Sequence, residues 1–152
     1  MLLKNYHKLN LQDKVAKILC FSTAFNNTFV FSRVINPGAD ESIVHVDANG
    51  KVLFEHKYPD IINFFGMLND REVIVMYVPE THIDIINLET KTVRHINHEY
   101  MFDDVAQMSI ETFYDTKMFV IIEKGTFNDP RLKLTYYQYE QTNDPENCKP
   151  VA

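Results

Sequence analysis

The chain has 152 residues, 45% hydrophobic and 24% charged, with four glycines, six prolines and no tryptophan, which excludes collagen-like, disordered and disulfide-scaffold classes. Fifteen basic against 21 acidic side chains give a net charge of −6, a sign that argues against nucleic acid as a direct ligand. The length suits one core, so the expected organisation is a single domain over residues 1–140 and a polar tail over 141–152.

The first residues carry Lys4, Asn5, His7 and Lys8, which interrupt any apolar run before a signal peptide could form, and no window reaches the ~18 apolar residues of a membrane span. A cytoplasmic protein without membrane association is expected. Leu2, Leu3, Tyr6, Leu9 and Leu11 are expected to pack on the body, as an added strand or a short amphipathic helix. Residues 1–17 hold four lysines against Asp13 alone, which leaves 11 basic and 20 acidic side chains, a net of −9, on residues 18–152.

From there the periodicity is almost wholly that of strands. Short runs rich in Val, Ile, Phe and Tyr occupy residues 15–21, 28–35, 42–47, 51–57, 61–68, 72–78, 82–87, 91–96, 105–110, 117–123 and 132–139, with polar turn residues between them. One later stretch admits a helix: residues 99–108 place Met101, Val105 and Met108 at i, i+4 and i+7.

The turns repeat. Residues 43–51 and 83–91 align at an offset of 40, with Asp47 or Asn87 entering a tight turn and Lys51 or Lys91 leaving it, and Gly50 is expected at positive φ. Turns at Asn26-Asn27, Asp70-Arg71 and Asp115-Thr116 recur at 44 and then 45 residues, each before a strongly apolar strand. Residues 73–78 and 118–122 are apolar at both parities and must be covered on both faces, whereas Val44 and Val46 alternate with His45, and Leu132 and Leu134 with Lys133.

Over residues 13–140 this pattern resembles the four-stranded repeats of β-propeller blades. Two four-stranded units and a three-stranded third, ending at Tyr139, fall short of a closed ring. The fold class expected is therefore all-β: an open stack of two to three antiparallel β-meander sheets resembling propeller blades, with room for one short helix. A sandwich of the same strands is the alternative.

Catalytic and metal patterns are weak. His95 and His98, three apart, point to opposite faces of a strand, and neither zinc-protease spacing occurs. If Asn87 pairs with Lys91, His82 lies opposite Ile96 and His95 opposite Ile83, so no two histidines face each other, and no metal or other cofactor is expected. Cys20 sits in an apolar strand and Cys148 in the tail, so both read as reduced thiols rather than nucleophiles or a disulfide. No G-x-S-x-G, phosphate-binding loop or dinucleotide fingerprint is present, and Tyr136, Tyr137 and Tyr139 read as packing residues. A non-catalytic protein is expected.

The acidic aromatic segment Glu99, Tyr100, Phe102, Asp103 and Asp104 is the candidate partner-binding site, its rings supplying anchors and its acids selecting a basic protein. In size, acidity and lack of motifs the chain resembles the small immunity proteins with which bacteria neutralise contact-dependent growth inhibition toxins. That resemblance implies a cytoplasmic inhibitor blocking a basic toxin domain, a nuclease first of all. The rivals are a structural β-module that self-associates, as a homodimer, and a hydrolase whose acid and base groups converge only in the fold.

Overall fold

The structure, a computed structural model, describes residues 17–34, 41–77, 82–99, 105–139 and 148–150. Twelve β-strands and no α-helix occur among the described residues. The first sheet is β1 (Lys17–Ala24), β2 (Thr28–Val34), β3 (Glu41–Val46) and β4 (Val52–Tyr58). The second is β5 (Ile62–Met67), β6 (Glu72–Tyr77), β7 (His82–Asn87) and β8 (Thr92–Ile96), and the third is β9 (Val105–Phe113), β10 (Met118–Gly125), β11 (Leu132–Tyr139) and β12 (Cys148–Pro150). Every sheet is an antiparallel meander in which each strand pairs with its neighbour in sequence, the topology of a propeller blade. The chain divides into two compact units, Met1–Ile61 with the first sheet and Ile62–Ala152 with the other two.

The repeat in the sequence is the repeat in the fold. Asn26-Asn27, Asp70-Arg71 and Asp115-Thr116 lie in the turn between the first two strands of the three sheets. Asp47 and Asn87 enter the turns between the last two strands of the first and second sheets, and each carboxyl or amide oxygen accepts two backbone N–H groups of its turn, from Asn49 and Lys51 and from Glu89 and Thr90. These side chains replace the ladder where the backbone reverses. Gly50 takes φ 85° as expected, and in the other turns Asn26, Asn27, Lys91, Asp115 and Lys117 adopt positive φ without being glycine.

Two sequence expectations change. Residues 105–108 are the start of β9 rather than part of a helix, because β10 offers them a partner edge, with Val105 opposite Gly125 and Met108 opposite Glu123. The third sheet also gains a fourth strand, β12, whose Cys148 pairs with Tyr139 and Pro150 with Tyr137. A three-residue strand ending in proline carries too little apolar pattern to announce itself. The expected packing of residues 2–11 lies outside the described residues.

In the first unit, Phe31, Val44 and Val46 form one core cluster with Phe29 packed against it. On the same sheet face Arg33 donates to Glu55 at 3.0 Å, and on the opposite face His45 and Thr28 share a buried hydrogen bond of 2.7 Å. The second unit has the larger core. Leu68, Ile74, Met76, Ile83, Ile85 and Ile96 on one face of the second sheet meet Ile110, Phe119, Ile121, Tyr137 and Tyr139 of the third. Phe119 and Tyr137, directly opposite across β10 and β11, stack with ring centroids 5.0 Å apart. The β5–β6 turn ties both neighbouring turns, since the Leu68 carbonyl accepts from Asp115 N–H and the Arg71 carbonyl from Leu88 N–H, each at 2.8 Å. β6 is buried at both parities from Glu72 to Met76, as its apolar run demands.

Candidate functional site

Two polar constellations of the second unit are built on histidines. The first is built where the chain leaves β8. His98 and Glu123 have side chains 1% and 0% exposed, and the imidazole Nε2 lies 3.0 Å from Glu123 Oε2. Its Nδ1 lies 2.6 Å from the Tyr137 hydroxyl. Glu123 shares the core-facing side of β10 with Phe119 and Ile121, and opposite it on β11 stands Lys133, whose Nζ is 3.6 Å from the carboxylate and also donates to the Glu99 carbonyl at 3.2 Å.

Burial pushes the His98 imidazole below its ordinary value, outweighing the pull of the hydrogen bond and charge of Glu123 in the other direction. The ring is then neutral near pH 7. The tautomer that satisfies both contacts has Nε2–H donating to the carboxylate and Nδ1 accepting the Tyr137 O–H. An acid, a base and a hydroxyl far apart in sequence thus converge in the fold, but behind a wall of side chains. Chemically the cluster neutralises a buried carboxylate and clips residues 98–99 to the third sheet.

The second constellation lies on the opposite face of the second sheet from the core. Asn87 pairs with Thr92 rather than Lys91, because Lys91 at φ 60° belongs to the turn, and the register moves by one residue. His95 therefore stands opposite Asp84, its Nδ1 2.9 Å from Asp84 Oδ1. The expectation that no two histidines meet is overturned as well: His82 is the diagonal neighbour of His95, with ring centroids 5.1 Å apart, and Tyr77 stacks on His82 at 5.3 Å. Desolvation first, and then the Asp84 carboxylate, raise the Tyr77 hydroxyl above its usual range. Among the described residues no group of three or more His, Cys, Asp or Glu side chains is placed to hold a metal ion.

Of the five residues singled out in the acidic segment, Glu99 is described: it is exposed and leaves its carbonyl to Lys133. Tyr100, Phe102, Asp103 and Asp104 lie outside the described residues. Missed from sequence were Glu123, Tyr137 and Lys133. A carboxylate on the same strand parity as Phe119 and Ile121 was the signal that could have flagged Glu123, since a buried acid needs partners.

A further feature is apolar. On the outer face of the third sheet Phe113, Leu132, Leu134 and Tyr136 are 45%, 59%, 45% and 44% exposed. Beyond it, Phe127 at the β10–β11 turn is 99% exposed. That turn is fixed by Arg131, which forks onto both Asp129 carboxylate oxygens at 2.7 and 2.6 Å.

These features define an all-β protein of consecutive four-stranded antiparallel meanders, with one histidine cluster buried between two sheets and an apolar, partly aromatic surface on the outer face of the third. No helix among the described residues is long and apolar enough to cross a membrane. No protein-family model matches the chain, and no curated protein matches it either.

Proposed function

We propose that the chain is a non-catalytic binding protein that captures a basic protein partner through the acidic segment of Glu99, Tyr100, Phe102, Asp103 and Asp104, as an immunity protein captures a toxin domain. The observation that carries this reading is the anchoring of the segment's first residue. His98 is buried against Tyr137 and Glu123, and Lys133 holds the Glu99 carbonyl, while the Glu99 side chain remains exposed. The segment therefore starts from a fixed residue, Glu99, on a chain of net charge −6. Clustered carboxylates accelerate encounter with a basic surface, and aromatic anchors slow escape once desolvated. In a nuclease toxin the acids would stand where substrate phosphates bind.

The test is affinity purification of the tagged chain from its native cell, identification of the retained protein, and association kinetics with that protein at two salt concentrations. Asp103→Lys with Asp104→Lys should slow association and flatten its salt dependence, and Tyr100→Ala or Phe102→Ala should speed dissociation. If the retained protein is a nuclease, an equimolar amount of the chain should stop its cleavage of plasmid DNA. An unchanged rate and salt response in the lysine variant would remove this segment from the interface.

A further inference from the structure

We infer that the outer face of the third sheet is a homodimer interface, at which a second copy of this chain packs its own third sheet face to face. The argument begins with β10. Residues 118–122 are apolar at both parities, so the strand requires cover on two sides, and on the core side Phe119 and Ile121 receive it completely. On the outer side Val120 is 4% exposed, but Met118 and Ile122 are only half-buried, and the strands on either side leave Phe113, Leu134 and Tyr136 open to solvent. The registers place these residues on one surface: Met118 opposite Phe113, Val120 opposite Tyr136 and Ile122 opposite Leu134.

Area and charge select the occupant. Leu132, Leu134, Tyr136 and Phe113 together leave on the order of 400 Å² exposed, at the size where a patch on a soluble protein marks an interaction site. With the half-buried β10 side chains and a polar rim, the face approaches the roughly 800 Å² per partner of a stable complex. By register the ionised residues on this face, among those described, are Glu111 on β9, Lys124 on β10 and Lys149 on β12, opposite Gln138. A face with no excess of acid does not recruit the basic partner proposed above, and with so few, mixed charges it does not repel its own copy as the −6 of the whole chain would. A second copy also brings a sheet of identical twist, and two such sheets stack at about 30° with side chains interdigitated. A twofold axis lying in the face and crossing β10 at right angles sets Leu134 against Tyr136 of the other copy and Val120 against Ile122, apolar on apolar in both directions.

Sedimentation velocity on the full chain, run from low to high micromolar concentration, reads the assembly directly. The expected result is a concentration-dependent dimer. Leu134→Lys with Tyr136→Lys should weaken it at least ~10-fold, the loss expected from charging two central anchors. Both side chains are solvent-exposed in the single chain, so the variant should keep the circular dichroism spectrum and urea midpoint of the monomer. As an internal control, Asp103→Lys with Asp104→Lys should leave the dimer intact, which separates this interface from the acidic segment. A monomer at every concentration overturns the inference, and so does a dimer that the Leu134 and Tyr136 substitutions leave unchanged.

Discussion

His98 and Glu123 meet at 3.0 Å across 25 residues of sequence, with both side chains withdrawn from solvent. The imidazole is held neutral chiefly by burial, so the folded state takes up a proton at lower pH than the unfolded chain, whose ordinary value is 6.5. The sign follows: the stabilisation is complete above pH 6.5 and is lost as pH falls through the lowered native value. Urea unfolding at pH 8 and pH 5.5 should show lower stability in acid. His98→Gln, which cannot titrate there, should flatten the profile between those values. Truncation to alanine should cost about 1–3 kcal/mol at pH 8, because Glu123 loses a donor while remaining buried.

Turn chemistry gives a prediction with opposite signs at two positions. Gly50 has φ 85° and Lys91 φ 60°, both left-handed. Gly50→Ala places a Cβ where it is disfavoured and should destabilise by about 1 kcal/mol, whereas Lys91→Gly relieves the same penalty and should be neutral or stabilise by up to about 1 kcal/mol. Chemical denaturation of the two variants beside the parent measures both. Equal destabilisation by both would contradict the turn geometry.

Glu72 and Arg94 form an ion pair of 3.5 Å with side chains 3% and 9% exposed, and Asn69 donates to the same carboxylate at 2.8 Å and to the Tyr139 hydroxyl at 3.3 Å. Arg94→Met leaves a buried carboxylate without its cation and should lower stability by about 3 kcal/mol. Converting Glu72 to methionine in the same chain should restore much of that loss, since an apolar pair needs no desolvation. A double-mutant cycle in urea reads the coupling.

Gly125 closes the β10–β11 turn at very short range. A Cβ built there would lie 2.0 Å from the Asp129 carbonyl oxygen, a backbone atom unable to swing aside, while the Gly125 N–H donates to the Arg131 carbonyl at 2.9 Å. Gly125→Ala should therefore open the turn and destabilise by about 1–3 kcal/mol, with the largest amide shift changes in NMR at residues 126–131. Shift changes spread evenly over the third sheet would count against a local clash.

The architecture was legible because its information is local. Asp47 and Asn87 mark their turns by accepting nearby N–H groups, and β6 and β10 declare themselves by apolar residues at both parities. The register of the β7–β8 hairpin was misread by one residue because nothing in Glu89, Thr90 and Lys91 states whether Lys91 belongs to the turn or to the ladder. That single step decides whether His95 faces Ile83 or Asp84. The His98 cluster was illegible for a different reason: Tyr137 and Glu123 come from strands of another sheet, and only sheet-on-sheet packing brings them to the end of β8. The strand Cys148–Pro150 was missed because its pairing edge, not its composition, makes it a strand.

The strictly sequential pairing of strands has a kinetic consequence. Among the described residues no sheet borrows a strand from another, so each ladder closes between segments a few residues apart in the chain, and the loop entropy spent before the first contacts form is small. Folding should then proceed as the zipping of hairpins, with each sheet a cooperative exchange unit and the slowest amide exchange at the centres of β6 and β10.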